Sequence, residues 1–183
     1  GFKNIEFLHA DILQLKELNK KFDVIESVGT LHHMRDPLEG LKVLTDILKP
    51  GGFLKLGLYS EIGRIHIARA RELIKKENFK STIEDIRVCR QVIFNKEEKD
   101  QLFKYITFSR DFYSTSTVRD LLFHVQEHRF KIPEISKILK NLDLEFLGFV
   151  LLDPAVNTEY SRIFPEDKKN ISLDNWNQFE IKN

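Results

Sequence analysis

Residues 22–59 read FDVIESVGTLHHMRDPLEGLKVLTDILKPGGFLKLGLY. Phe22 to Val28 is a β-branched run ending at Gly29, which predicts a strand. Asp36-Pro37 then opens a helix. The aspartate suits the free N–H groups of a first turn, and the proline suits its fixed φ. Leu38, Leu41, Ile47 and Leu48 recur at helical spacing, with Val43 and Leu44 alongside. Lys49-Pro50-Gly51-Gly52 stops that helix and turns the chain, and Phe53 to Tyr59 follows as a second strand. Two strands joined through a helix form a βαβ crossover, normally parallel and right-handed. Such units build open doubly wound sheets, where ligands lie beyond the C-terminal ends of the strands.

Upstream, Ile5 to Leu8 is a candidate strand running into Ala10-Asp11, and Leu13 to Leu18 is a loop or helical turn. Downstream, helices are expected over 62–76, 82–94, 96–104, 118–128 and 133–142. A strand is expected over 144–152, then a loop-like tail in which Trp176 and Phe179 pack. The first of these helices carries Arg64, Arg69, Arg71, Lys75 and Lys76. Glu72 and Glu77 interrupt it, which favours a solvated face over a nucleic-acid surface.

The bulk numbers narrow the function classes. With 183 residues, 42% hydrophobic and 31% charged, the composition is that of an ordinary globular domain. A net charge of +1 gives no argument for nucleic acid. The single Cys89 excludes an internal disulfide and a multi-cysteine zinc site, and fits a reducing, cytoplasmic setting. No apolar run is long enough to span a bilayer. The chain starts at Gly1, already in folded-looking sequence, which reads as a piece of a longer chain.

The block at 22–59, with Ala10-Asp11-Ile12-Leu13 before it, resembles the stretch from the third to the fifth strand of class I S-adenosylmethionine-dependent methyltransferases. There, a strand beginning Phe-Asp-Val leads to a Leu-His-His turn, and a helix ends in Leu-Lys-Pro-Gly-Gly. The resemblance implies a partial Rossmann-like doubly wound α/β sheet, third to sixth strands, with an inserted helical cover. Residues 1–60 would be the C-terminal half of the cofactor sheet, 61–142 the cover, and 143–183 the last strand and tail. It also implies S-adenosyl-L-methionine as cofactor. Asp11 and Ile12 would hold the adenine, Glu26, Ser27 and Val28 would run along the cofactor, and His32 would border the methyl-transfer region. The segments DFYSTSTVRDLLFHVQEHRF and IPEISKILKNLDLEFLGF resemble the C-terminal part of methyltransferases attached to tetratricopeptide repeats. That narrower likeness implies a peptide or protein acceptor beside the small-molecule alternative.

No catalytic residue is assigned. His32 and His33 are the two candidates for a general base, which methyl transfer from a sulfonium does not strictly need. His124, His128 and Arg129 are candidate contacts to a polar substrate. His124 to His128 also spells H-x-x-E-H, a pattern of inverted zinc peptidases. On a helix its two histidines would share a face, but the surrounding sequence reads as a methyltransferase, and no metal is assigned. The family's glycine-rich loop is absent from these residues, so the cofactor site is expected to be incomplete and the fragment inactive alone. The rival reading is a non-catalytic interaction domain that keeps the fold. A nicotinamide dehydrogenase is weaker still, since no glycine fingerprint accompanies the sheet.

Overall fold

A computed structural model describes residues 3–182. The chain divides into two compact units, 1–58 with 132–179, and 59–131 with 180–183.

The first unit is built on the βαβ crossover. Strand β1 (Phe22–Val28) and strand β2 (Leu48–Gly57) pair in parallel, with Ile25 opposite Leu54, Ser27 opposite Leu56 and Val28 opposite Gly57. Helix α1 (Pro37–Ile47) connects them. Its start is the expected one: Asp36 Oδ1 accepts from the Leu38 N–H at 2.9 Å and from Glu39 at 3.3 Å, and Pro37 needs no partner there. Leu41, Leu44 and Ile47 of α1 are buried with Leu31, and Ile25, Leu54 and Leu56 pack against them from the sheet. Strand alternation leaves the opposite face open. Val24, Val28 and Phe53 are exposed there, around an ion pair from Lys55 Nζ to Glu26 at 2.9 Å.

A second apolar cluster of this unit joins helix α6 (Ile132–Asn141), helix α7 (Pro154–Ile163) and helix α8 (Leu173–Lys182). Ile132, Tyr160, Trp176 and Phe179 form its buried centre. Tyr160 stacks on Trp176 with ring centroids 3.8 Å apart, and its hydroxyl donates to Asp167 Oδ2 at 2.5 Å.

The second unit contains β3 (Tyr59–Ser60), α2 (Ile65–Lys76), α3 (Ile83–Lys96), α4 (Gln101–Phe108), α5 (Thr115–Phe123) and β4 (Arg129–Phe130). Strands β3 and β4 pair in parallel, Tyr59 opposite Arg129. The helices close over Ile67, Ala70, Ile86, Cys89, Ile93, Phe103, Ile106, Phe112, Val118 and Leu122.

Mixed α/β architecture with parallel strands agrees with the sequence expectation, but four local expectations need correction. Ile5 to Leu8 forms no ladder. Ile5, Phe7 and Leu8 are exposed, so no cross-strand partner among the described residues draws them into a sheet. Leu144 to Leu152 forms no ladder either. Its Phe146 and Leu151 turn to the aromatic cluster around Trp176, and Phe149 meets the Trp176 ring edge-on at 5.2 Å, so side-chain packing replaces strand pairing. The helix expected to reach His128 stops at Phe123, because Glu127 is drawn into a buried ion pair. The tail is not loop-like: Asp153 caps the Ala155 N–H at 2.8 Å, Pro154 follows, and α7 and α8 fill the segment. Trp176 and Phe179 do pack, as expected.

Candidate functional site

The ligand edge of a parallel sheet lies beyond the C-terminal ends of its strands, here beyond Val28 and Gly57. Gly29 leaves β1 at φ +75°, a left-handed conformation that side chains resist. Thr30 Oγ1 donates back to the Val28 carbonyl at 3.3 Å. A 3-10 turn over Leu31–His33 then carries both histidines. His32 is 1% exposed. Its Nδ1 lies 3.2 Å from the Gly57 carbonyl oxygen, which can only accept, so Nδ1–H donates and Nε2 is the basic atom of the neutral ring. One imidazole thus ties the end of β2 to the turn after β1. His33 meets it edge-on at 4.3 Å and is half-buried.

Ser27 sits on the helix-covered face at the end of β1, buried, and its Oγ has no hydrogen-bond partner. A buried hydroxyl without a partner is uncommon and asks for one. Glu26, the preceding residue, points to the open face and is held by Lys55. Val28 is half exposed at the edge itself. Asp11 starts the 3-10 turn over Ile12–Leu18, its Oδ1 accepting from the Leu13 N–H at 2.9 Å, and Ile12 packs against the α1 core cluster that includes Leu31. The structure therefore brings Ser27 and His32 to one strand end, with Val28 closing the same strand on the open face that Glu26 shares.

His124, His128 and Arg129 belong to the second unit. His124 follows the last residue of α5, and its Nδ1 accepts from the Gln126 N–H at 3.3 Å. Gln126 Nε2 lies 3.2 Å from His128 Nε2. With the helix ended, the H-x-x-E-H residues do not stack one turn apart. Glu127, the base that pattern requires, has 1% of its side chain exposed and is bonded to Arg64 and Arg71. No group of three or more His, Cys, Asp or Glu among the described residues is placed to hold a metal ion. His124 instead borders an open depression of about 570 Å³ with Ser116, Thr117, Arg119, Asp120 and Phe123. Sequence reading missed the partnership of Arg64, Arg71 and Glu127, since more than fifty residues separate the arginines from the acid and no spacing rule links them.

A family model for a methyltransferase domain matches residues 1–54, the segment holding the 3-10 turn, β1, the histidine turn, α1 and most of β2. Residues 1–54 are thus similar to a methyltransferase domain. A ubiquinone biosynthesis O-methyltransferase from Ruegeria pomeroyi is 38% identical to this chain over 48 residues, 26% of this chain and 19% of that protein. An uncharacterized protein from Synechococcus sp. is 28% identical over 153 residues, 79% of this chain and 36% of that one. The chain thus spans 36% of one curated relative and 19% of the other. Methyltransferase domains of this kind use S-adenosylmethionine as methyl donor, and some residues of the matched segment suit such a ligand. Ser27 offers a buried hydroxyl without a partner, Asp11 a surface carboxylate and Val28 an apolar edge. No helix among the described residues is long and apolar enough to cross a membrane.

Proposed function

We propose that residues 1–58 form the adenine edge and methyl-transfer rim of an S-adenosylmethionine-dependent methyltransferase. The observation that carries this reading is the unpartnered Ser27 hydroxyl at the C-terminal edge of a parallel pair, beside a histidine pinned to the neighbouring strand. In this reading the Asp11 carboxylate accepts from the adenine amino group, and Ile12 flanks the ring. Ser27 and Val28 give a polar and an apolar contact along the ligand. Glu26, turned to the open face, is given no direct contact. S-adenosylmethionine, when bound, supplies a methyl group activated on a sulfonium. The protein's part is orientation and exclusion of water. His32 holds the rim in place through Gly57. His33, on the outer side of the same turn, is the group able to take a proton from the acceptor.

The acceptor is a small-molecule, peptide or protein nucleophile. Tetratricopeptide repeats in a longer parent chain would present a peptide. No Gly-x-Gly turn occurs in the sequence to cradle the amino-acid end of the cofactor, so these residues alone bind it weakly.

Calorimetric titration with S-adenosylmethionine tests this on two chains, the 183 residues and a chain extended to include a glycine-rich loop. The short chain is expected to bind weakly or not at all and the extended one tightly. Ser27→Ala in the extended chain should weaken binding about tenfold, a loss of about 1.4 kcal/mol, with unfolding temperature unchanged. Tight binding by the short chain would overturn the incomplete-site reading. An extended chain that ignores the cofactor would overturn the methyltransferase reading.

A further inference from the structure

The second unit holds a concentration of positive charge that its own acids do not balance. Glu127 is buried, and a bidentate guanidinium is enough to neutralise it: Arg64 donates from Nε at 3.3 Å and from a terminal nitrogen at 2.7 Å. Yet Arg71 also donates to Glu127 at 3.1 Å and to the Leu121 carbonyl at 3.3 Å, and its Nε–H is buried without a hydrogen-bond partner. The guanidinium of Arg64 lies 3.8 Å above the Tyr59 ring. Tyr59 pairs with Arg129 across β3 and β4, so parallel register puts both side chains on one face of that pair. Arg129 has no ion-pair partner among the described residues. The other acids on this edge are engaged, Glu61 with Lys131 at 3.3 Å and Glu180 with the Ser60 hydroxyl. Three guanidiniums therefore face one carboxylate.

Holding like charges together in a partly buried place is unfavourable unless something answers them. The arginines remain partly accessible, Arg64 with 16% and Arg71 with 25% of the side chain exposed. Burial, and then the charges of Arg64 and Arg129, push the Arg71 guanidinium below its ordinary value against the pull of Glu127. Burial and Arg64 likewise hold the His66 imidazole low. Arginine presents planar pairs of donors that match carboxylate and phosphate oxygens.

We infer that Arg64, Arg71 and Arg129 form a recognition site for a multivalent oxyanion, a carboxylate- or phosphate-bearing small molecule, with Glu127 holding two of the three guanidiniums in place. This does not rest on the methyl-transfer reading, since neither the cofactor nor its edge takes part.

The test uses the 183-residue chain at low ionic strength, where screening is weakest. Pyrophosphate and citrate serve as separate probes, read by calorimetry and by the rise in unfolding temperature. Saturable binding of at least one probe is expected, and which one binds tells phosphate from carboxylate. Arg129→Ala, which orphans no buried acid, should weaken that binding about tenfold with circular dichroism unchanged, and Arg129→Lys should restore part of it. Arg162→Ala removes an exposed arginine outside the cluster and should bind as the parent chain does. Absence of saturable binding by both probes, undiminished binding by Arg129→Ala, or an equal loss in Arg162→Ala would each overturn the proposal.

Discussion

Two buried side chains, Ser27 and Cys89, show how differently burial bears on function. The Ser27 hydroxyl has no partner, so its removal breaks no hydrogen bond of the fold, and under the proposed reading it would cost the ligand one. Cys89 is fully buried in the helical core. Burial, and then the charge of Asp85, push its thiol up to about 12. Only the thiolate is nucleophilic, so Cys89 is expected to resist iodoacetamide in the native protein at pH 8 and to react fully in denaturant. Mass spectrometry after timed labelling checks this. Fast labelling under native conditions would mean that the helical core opens readily. The lone cysteine therefore belongs to packing, and it carries no role at the proposed sites.

Among the elements, the β1–α1–β2 crossover was the most legible in the sequence, because every local signal agreed with its neighbours. The Asp36-Pro37 start, the apolar spacing of α1 and the Pro-Gly-Gly turn all point one way. The same Asp-Pro signature at Asp153-Pro154 went unread, although Val156, Tyr160, Ile163 and Phe164 follow it at helical spacing; Tyr160 is buried and the other three pack around the same cluster. Segment 144–152 has strand composition, yet composition says nothing of a partner, and a strand exists only as one of a pair. At the candidate site, the resemblance directed attention to Ser27, Val28 and His32, and the strand end at Val28 was legible in the sequence. The bond from His32 to Gly57 was not, because it spans 25 positions in sequence. Gly57 also carries a constraint of its own. A Cβ there would meet Val28 Cγ1 at 2.8 Å and Val28 Cα at 3.0 Å, so Gly57→Ala must part the strands where they end. It is expected to destabilise the chain by about 1–3 kcal/mol in denaturant titration. It should also weaken cofactor binding in the extended chain beyond the loss of folded protein.

At the scale of the whole molecule, each unit has its own apolar centre, and the first depends on an acid. Burial alone would raise the Asp167 carboxyl, but hydrogen bonds from the Tyr160 hydroxyl and from the Ser172 and Ile171 N–H groups outweigh it and hold the carboxyl below its ordinary 3.8. A group depressed in the fold contributes stability above that ordinary value and loses it as pH falls through the lower, folded one. Thermal unfolding followed by circular dichroism should therefore show stability falling away below about pH 4. Asp167→Asn should cost about 1–3 kcal/mol at pH 7, and the gap to the parent chain should close near pH 2. A gap that persists in acid would place the effect in shape rather than charge.

The stacking of Tyr160 on Trp176 has an optical side. Trp176 is the chain's one tryptophan, its indole buried and its Nε1–H donating to the Asn170 carbonyl at 2.8 Å. Excitation at the red edge of indole absorption consequently reports on the aromatic cluster of the first unit, which α6, α7, α8 and segment 144–152 build around Trp176. The helical unit, with its arginines and its thiol, is dark at that wavelength, so a dye or isotope label placed there reads the second unit without interference from the first.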